Sequence, residues 1–190
     1  ALPSSHRLTL ARSGLSAVSS VPRPQPAAAP LATLLRTWHS LPSTTRVQRR
    51  DRALVLLALL LGTRPIDVTA LGRNDDFLRF FDAGVKLRFF RDKGSRLGGR
   101  NSSRWLVLFD SDVLPVSSVI RSYLADVSLS RVRPFRDPSA VFFPLFVRLD
   151  SARFGFPLEP TTVSKILVRF LVRAGLPSDQ SRAARVRAFS

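Results

Sequence analysis

Three groups of basic side chains in this sequence have the types and the neighbours needed to hold a phosphate group. The first is Arg64 in the segment LGTRPIDVTAL, which joins a strongly apolar run to the start of a predicted helix. Backbone N–H groups at a helix N-terminus bind phosphate oxygens, and a guanidinium beside them adds charge-assisted hydrogen bonds. Asp67, three residues later, is placed to orient that guanidinium. A purely structural Arg–Asp pair at a helix junction is the alternative interpretation.

The second group is Lys93 in FFRDKGSRLGGR, at the start of a predicted loop between two strands. Lys is rare in this chain, because it occurs only at Lys86, Lys93 and Lys165, whereas Arg supplies the rest of the 30 basic residues. Arg stays protonated at any working pH, but Lys can give up a proton as a general acid. A solvated hairpin charge beside Asp92 is the alternative interpretation.

The third group is the run SRAARVRAFS at residues 181–190, which contains Arg182, Arg185 and Arg187. One interpretation is a second phosphate-binding Arg on a helix that follows the turn at residues 174–176. The other interpretation is a basic helical face that is only solvated.

The overall composition narrows the chemistry that is left. The chain has 190 residues, a formal charge of +17 at pH 7 and no Cys, which excludes disulfides, thiolate zinc sites and Cys nucleophiles. With His at only two positions, His6 and His39, a His-based triad or metal cluster is hard to build. A charge of +17 attracts polyanions, and nucleic acid is the commonest of these. The longest apolar run, residues 53–61, is too short to span a bilayer.

Residues 1–48 are predicted to be a basic tail or linker, rich in Pro, Ser and Ala, with one short helix. No acidic residue occurs in this part, and VPRPQPAAAP at 21–30 is typical of an extended linker. An organelle transit peptide has a similar composition, but the chain does not begin with Met, which favours a tail or linker. The segment 31–40 predicts a short helix that packs Leu34, Leu35 and Trp38 against the main body.

Residues 49–190 are predicted to form one domain that positions the three basic groups. Helices are expected at 49–61, 65–71 and 116–127, and strands at 77–81, 85–90 and 105–109. A hairpin turn is expected at 82–84, a loop at 92–103, and irregular structure at 131–158. This order predicts an α+β fold, a mainly helical body with a small three-stranded antiparallel sheet.

The last predicted helix has the clearest amphipathic pattern. Thr161 or Thr162 is expected to cap its start, while Gly175 and Pro177 end it. Arg169 and Arg173 lie outside the apolar stripe of this helix. Five apolar residues share one helical face at i, i+3, i+4, i+7 and i+8: Val163, Ile166, Leu167, Phe170 and Leu171.

Taken together, these segments resemble the catalytic domain of tyrosine recombinases, the phage integrase-like superfamily, over residues 49–190. The resemblance lies in the order of ALVLLALLLGTRPIDVTAL, FFRDKG, PVSSVIRSYL, FFPLF and PLEPTTVSKILVRFLVRAGL, followed by the Arg run. The sequence is most similar to the recombinases of DIRS-type retrotransposons and Cryptons, which favour an Arg-Pro-x-Asp form of the first motif. The resemblance implies cleavage and rejoining of duplex DNA in mobile-element integration. It implies two Arg and a Lys on the scissile phosphate, a Tyr that forms a 3′-phosphotyrosyl link, and no metal or other cofactor.

The resemblance assigns roles to individual residues. Arg64 matches the first catalytic Arg, Asp67 the acid that supports it, and Lys93 the hairpin Lys, with Lys86 as a second candidate. Arg187 matches the second catalytic Arg, in a register that puts Ala184 where the family has His. An alternative register uses Arg182 and Arg185 and also lacks the His. The expected DNA-binding residues are Arg91, Arg96, Arg100, Arg182 and Arg185.

The only Tyr, Tyr123, falls in the helix predicted at 116–127, whereas the family's nucleophilic Tyr follows the second Arg. We therefore expect Tyr123 to pack in the core, and the chain to be a C-terminally truncated domain that binds duplex DNA without cutting it. Assembly of copies on DNA is expected from the resemblance. A non-enzymatic basic nucleic-acid-binding module and a decayed mobile-element remnant are the alternatives. The expected location is the nucleus in a eukaryote and the cytoplasm otherwise.

Overall fold

The computed structural model describes residues 30–62, 64–88, 105–128, 131–137 and 140–176. The linker predicted at 21–30 therefore lies outside the described residues, apart from its last residue, and so do residues 89–104 and 177–190. Seven of the site residues expected from the sequence fall in these last two segments. The site residues outside the described ranges are Lys93, Arg187, Arg91, Arg96, Arg100, Arg182 and Arg185.

The described part is a helical body with a small sheet on one side. Its α-helices are α1 (Leu31–His39), α2 (Arg46–Leu61), α3 (Pro65–Thr69), α4 (Val116–Ala125) and α5 (Pro160–Arg173). Strands β1 (Leu78–Phe81), β2 (Gly84–Arg88) and β3 (Trp105–Phe109) form an antiparallel sheet in the order β1-β2-β3. This arrangement confirms the predicted α+β class.

Helix α2 is the buried centre of the body. Its side chains from Ala53 to Ala58 are all buried, so it is apolar on every face along this stretch. A capping box starts the helix, because the Thr45 hydroxyl accepts the N–H of Gln48 and the Gln48 side chain accepts the N–H of Thr45. The helix therefore begins three residues before the predicted start at 49. It ends, as predicted, at Gly62, which has a φ of 58°.

Helix α1 packs on α2, as the sequence predicts. Leu34 and Trp38 are buried as predicted, whereas Leu35 is only half-buried and lies outside the core cluster. The Trp38 indole N–H donates to the carbonyl oxygen of Arg52 at 3.0 Å. Helix α2 also crosses residue 48, where the sequence pattern separates tail from domain. Residues from 31 onward thus share one hydrophobic core with the domain.

Helix α5 packs against α1, α2 and α3. Its five predicted core residues are all buried, and Gly175 follows its end with a φ of 89°. The prediction that Thr161 or Thr162 caps the helix is wrong, because Glu159 is the N-cap residue and Pro160 takes the first helical position. Pro fits there because its missing N–H would have no intrahelical partner.

The predicted irregular region at 131–158 contains regular structure. Strands β4 (Phe135–Asp137) and β5 (Ala140–Phe142) form an antiparallel hairpin, and a 3-10 helix covers Ser151–Arg153. Between them, the Leu145 N–H donates to the carbonyl oxygen of Leu71 at 2.7 Å. The many prolines in this region hid these short elements, because Pro is a typical signal for loops.

The sheet has one buried and one outer face. Leu78, Val85 and Leu87 point into the core, while alternate residues on each strand point outward. The hairpin turn between β1 and β2 is Asp82–Ala83, one residue shorter than predicted, and Gly84 already pairs with Phe109. A side chain at Gly84 would collide with the carbonyl oxygen of Leu108, so the close approach of β3 requires glycine here.

Candidate functional site

Arg64 stands at the junction between α2 and α3. It is the N-cap residue of α3, with extended backbone angles (φ −73°, ψ 155°), and Pro65 follows as the first helical residue. The fixed φ of Pro65 suits the start of a helix, so Pro65 sets the direction in which the chain leaves Arg64. The Arg64 side chain is exposed.

Asp67 fixes the backbone of Arg64. Its carboxylate accepts the backbone N–H of Arg64 at 3.2 Å. The sequence predicts that Asp67 orients the guanidinium of Arg64, but the structure shows the carboxylate on the backbone amide, and no ion pair joins the two side chains. An acid at the third helical position reaches back to the N-cap N–H more easily than to a long, exposed side chain.

The C-terminal end of α3 is anchored in the core. Val68 and Leu71 are fully buried, and the carbonyl of Leu71 accepts the N–H of Leu145. On the far side of Gly72, the Arg73 N–H donates to the carbonyl oxygen of Phe143 at 2.8 Å. Contacts at both ends of this five-residue helix therefore fix its position, and with it the backbone of Arg64.

Two other Arg side chains near this core are engaged within the protein. Arg73 donates from Nη2 to the carbonyl oxygen of Val127 at 2.8 Å, and loss of solvent lowers its pKa from the usual value. Arg50 is buried and forms two hydrogen bonds with the Asp51 carboxylate, at 2.9 and 2.7 Å. We assign both a structural role, because their guanidinium groups are withdrawn from solvent as well as bonded within the protein.

Tyr123 lies in the core, as the sequence predicts. Its ring is fully buried and stacks on Phe146 with 5.6 Å between ring centroids. Its hydroxyl oxygen accepts the N–H of Val147 at 3.1 Å. Loss of solvent around the ring raises the pKa of Tyr123 to about 12, so the phenol stays protonated at neutral pH. A buried, protonated phenol cannot attack a phosphate on the surface.

Lys86, the second candidate for the family's Lys, lies in the middle strand of the sheet rather than in a loop. Its side chain is exposed, and its Nζ lies 5.6 Å from the centre of the Phe81 ring. The first candidate, Lys93, lies outside the described residues, and so does Arg187.

A basic cleft of about 240 Å³ lies between the α1–α2 connection and α5. Arg52, Arg169 and Arg173 line it above an apolar floor that includes Val55 and Phe170. One part of this cleft has a signal in the sequence, because Arg169 and Arg173 lie four residues apart on the polar face of α5. The contribution of Arg52 was not predictable, because it comes from a different helix and sits over the Trp38 ring, 4.6 Å from its centroid.

No cluster of three His, Asp or Glu side chains in the described ranges has the arrangement needed to hold a metal ion. No helix in those ranges combines the length and the apolar character that crossing a membrane requires.

No protein-family model matches this sequence, and no curated protein is significantly similar to it. Among solved structures, the chain is similar to the XerH site-specific recombinase in a post-cleavage complex with a palindromic difH substrate. The TM-score is 0.58 at 16% identity, over 86% of this chain and 42% of the XerH chain. A pre-cleavage XerH complex with difH gives a TM-score of 0.55 at 16% identity, over 82% of this chain and 39% of XerH. The chain thus spans about two fifths of XerH and shares its fold.

Proposed function

We propose that this chain contains the core of a tyrosine-recombinase-like catalytic domain that binds duplex DNA, with Arg64 on the scissile phosphate. The observation that carries the proposal is the fold likeness to XerH, whose structures hold its difH substrate. The net charge of +17 and the order of sequence motifs support the same function.

The proposed role of Arg64 follows from its surroundings. Its backbone is fixed by Asp67 and Pro65, while its guanidinium is exposed and forms no ion pair with any acid in the described ranges. Such a group keeps its full positive charge for an incoming anion. An Arg binds a phosphate with two parallel hydrogen bonds, and in a water-excluded site it stabilises charge that develops on the phosphate oxygens.

The remaining assignments of the resemblance belong to the proposal in the same way. Lys93 is proposed as the general acid and Arg187 as the second phosphate-binding Arg, with Arg91, Arg96 and the other basic residues of those segments on the DNA backbone. The similarity to DIRS-type and Crypton recombinases supports a role in mobile-element integration. Assembly of several copies on one DNA molecule is part of this proposal.

The burial of Tyr123 favours a second candidate function. Residues 1–190 contain no other Tyr, so this stretch offers no exposed phenol for a covalent link to DNA. A domain with the fold but without the nucleophile would act as a non-enzymatic DNA-binding module. Under both candidates the chain binds duplex DNA, and the two differ in whether DNA is cut.

The binding experiment measures the affinity of the chain for a fluorescently labelled duplex at several salt concentrations. Because phosphate contacts release counterions, the logarithm of the affinity is expected to fall with the logarithm of salt, with a slope of about −0.9 for each phosphate neutralised. An affinity that does not change between about 50 and 200 mM salt, or no binding at low salt, would contradict the proposal.

The cleavage experiment incubates residues 1–190 with nicked duplex DNA and then denatures the mixture with SDS. We expect no covalent protein–DNA adduct. An adduct that is lost in Tyr123→Phe would show that the buried phenol reaches DNA, against the geometry described above. An adduct that persists in Tyr123→Phe would identify a nucleophile other than Tyr.

A further inference from the structure

The outer face of the three-stranded sheet carries aromatic and basic side chains. We call the set Arg79, Phe81, Lys86, Trp105, Val107 and Phe109 the outer sheet face. Pairing places Arg79, Lys86 and Val107 in one row across the three strands, and Phe81, Gly84 and Phe109 in the next row. Because residues two apart on a strand share a face, Trp105 belongs to this face too.

Part of this face is unusually exposed for apolar side chains. Phe109 is 68% exposed and Val107 is 42% exposed, while Val85 and Leu87 on the opposite face are fully buried. Exposed apolar side chains that are contiguous on one surface mark interaction sites, whereas scattered ones are ordinary. The sequence did not predict this feature, because alternation along β3 is weak in the series WLVLF.

Cations stand beside the aromatic rings of the outer sheet face. The Arg79 guanidinium lies 5.1 Å from the Trp105 ring centroid, and Lys86 Nζ lies 5.6 Å from that of Phe81. The Phe81 and Phe109 rings meet edge to face, with 5.9 Å between their centroids. Phe81 thus supports the exposed Phe109 ring, and each half of the face pairs an aromatic surface with a positive charge.

We propose that the outer sheet face binds an unpaired nucleic-acid strand, with bases stacked on Phe109 and Trp105 and phosphates near Arg79 and Lys86. Every base offers a flat π surface, so aromatic side chains bind single strands with little sequence preference. Trp105 and Phe109 are four residues apart on one strand, about 13 Å, which leaves room for separate bases on each. This site is distinct from the duplex-binding role of Arg64 and does not depend on it.

The charge of the face favours a nucleic acid over an apolar protein partner. The outer sheet face contains two basic side chains, Arg79 and Lys86, and no acidic one. Asp82 and Asp110 directly follow the ends of β1 and β3, and the Asp110 carboxylate accepts the N–H of Ser117 at 2.8 Å. Asp110 is therefore engaged with the start of α4.

The test compares oligo(dT) alone with the same strand paired to oligo(dA), using the full chain of 190 residues. Phe109→Ala is expected to bind oligo(dT) at least about fivefold more weakly than the unaltered chain, while its affinity for the duplex stays the same. Phe156→Ala is the matched control, because Phe156 is also exposed (46%) and lies beside a cation, 5.8 Å from Arg133. It is expected to leave both affinities unchanged.

The two Trp residues supply a second readout. Trp38 is fully buried and Trp105 is partly exposed, so stacked bases should quench the emission of Trp105. Trp105→Phe is expected to remove this quenching. Unchanged emission at saturating oligo(dT) would overturn the assignment of Trp105.

The outcomes separate this inference from the proposed function. Equal binding of oligo(dT) by the unaltered chain and Phe109→Ala, or equal losses with oligo(dT) and duplex, would overturn the inference. Duplex binding without oligo(dT) binding would also overturn it and leave the proposed function standing. Oligo(dT) binding that needs Phe109, with no duplex binding, would support the inference and contradict the proposed function.

Discussion

The Asp67 carboxylate oxygen Oδ2 lies 3.2 Å from the backbone nitrogen of Arg64 and accepts its N–H. This bond ties the residue before α3 to the first turn of that helix. It uses the acid to hold the backbone and leaves the Arg64 guanidinium in solvent. The backbone of Arg64 is thus fixed while its guanidinium stays accessible, as the proposed contact with a DNA phosphate requires.

Asp67→Ala removes the acceptor of the Arg64 N–H and is expected to destabilise the fold by about 1 kcal/mol, the usual cost of losing a helix cap. For a chain of this size, that corresponds to a fall of about 2–4 °C in Tm. Asp67→Asn keeps a side-chain oxygen in place, so its Tm is expected to fall less than that of Asp67→Ala. Thermal unfolding followed by circular dichroism measures both, and a Tm for Asp67→Ala equal to that of the unaltered chain would show that the bond contributes nothing.

Tyr123 gives the fold a dependence on alkaline pH. Its pKa in the folded chain is raised to about 12, above the ordinary value of 10.0, because the ring is out of solvent. A group whose folded pKa is raised contributes stability that is complete below its unfolded pKa and is lost as pH rises through the folded pKa. The free energy of unfolding should therefore fall between pH 10 and about 12, by on the order of 2–3 kcal/mol.

Tyr123→Phe is the control for this effect. It leaves the Val147 N–H without its acceptor, at a cost of about 1–3 kcal/mol near neutral pH, and it removes the phenol that titrates. Urea unfolding of the two chains at a series of pH values should show their stabilities converging as the pH rises from 10 to about 12. A constant difference over that interval would disprove the burial of the phenol.

Arg49 and Asp126 join α2 to the end of α4. Arg49 Nε and Nη2 donate to the two carboxylate oxygens at 2.5 and 2.7 Å, and these bonds raise the pKa of Arg49. Arg49→Ala and Asp126→Ala should each lower Tm, and the double variant should lose less than the sum of the two. Arg46→Ala, on the exposed first turn of α2, is the control and should leave Tm unchanged. Additive losses in the double variant would show that the two side chains do not interact.

Local patterns in the sequence were sufficient for much of the fold. The spacing of apolar residues predicted α5 and its buried face, and Gly62 predicted the end of α2, because both features depend on neighbours within a few residues. The burial of Tyr123 was also predicted, because it precedes the Arg run, whereas the nucleophilic Tyr of the resembled family follows the second Arg.

Contacts between segments that are distant in the chain could not be predicted from the sequence. The pairing of residues 71–73 with 143–145 and the Arg52 side of the cleft join parts of the chain that no local pattern connects. The role of Asp67 was predicted in part, because the spacing identified its neighbour Arg64 but could not show which group of Arg64 it would bind.

The salt dependence of duplex binding by Arg64→Ala tests the central claim most directly. An Arg that binds a phosphate contributes about 0.9 to the slope of log affinity against log salt, so its removal should make the slope shallower by about that amount. Arg36→Ala, an exposed Arg on α1, is the control and should leave the slope unchanged. A slope for Arg64→Ala identical to that of the unaltered chain would contradict the assignment of Arg64 to a DNA phosphate.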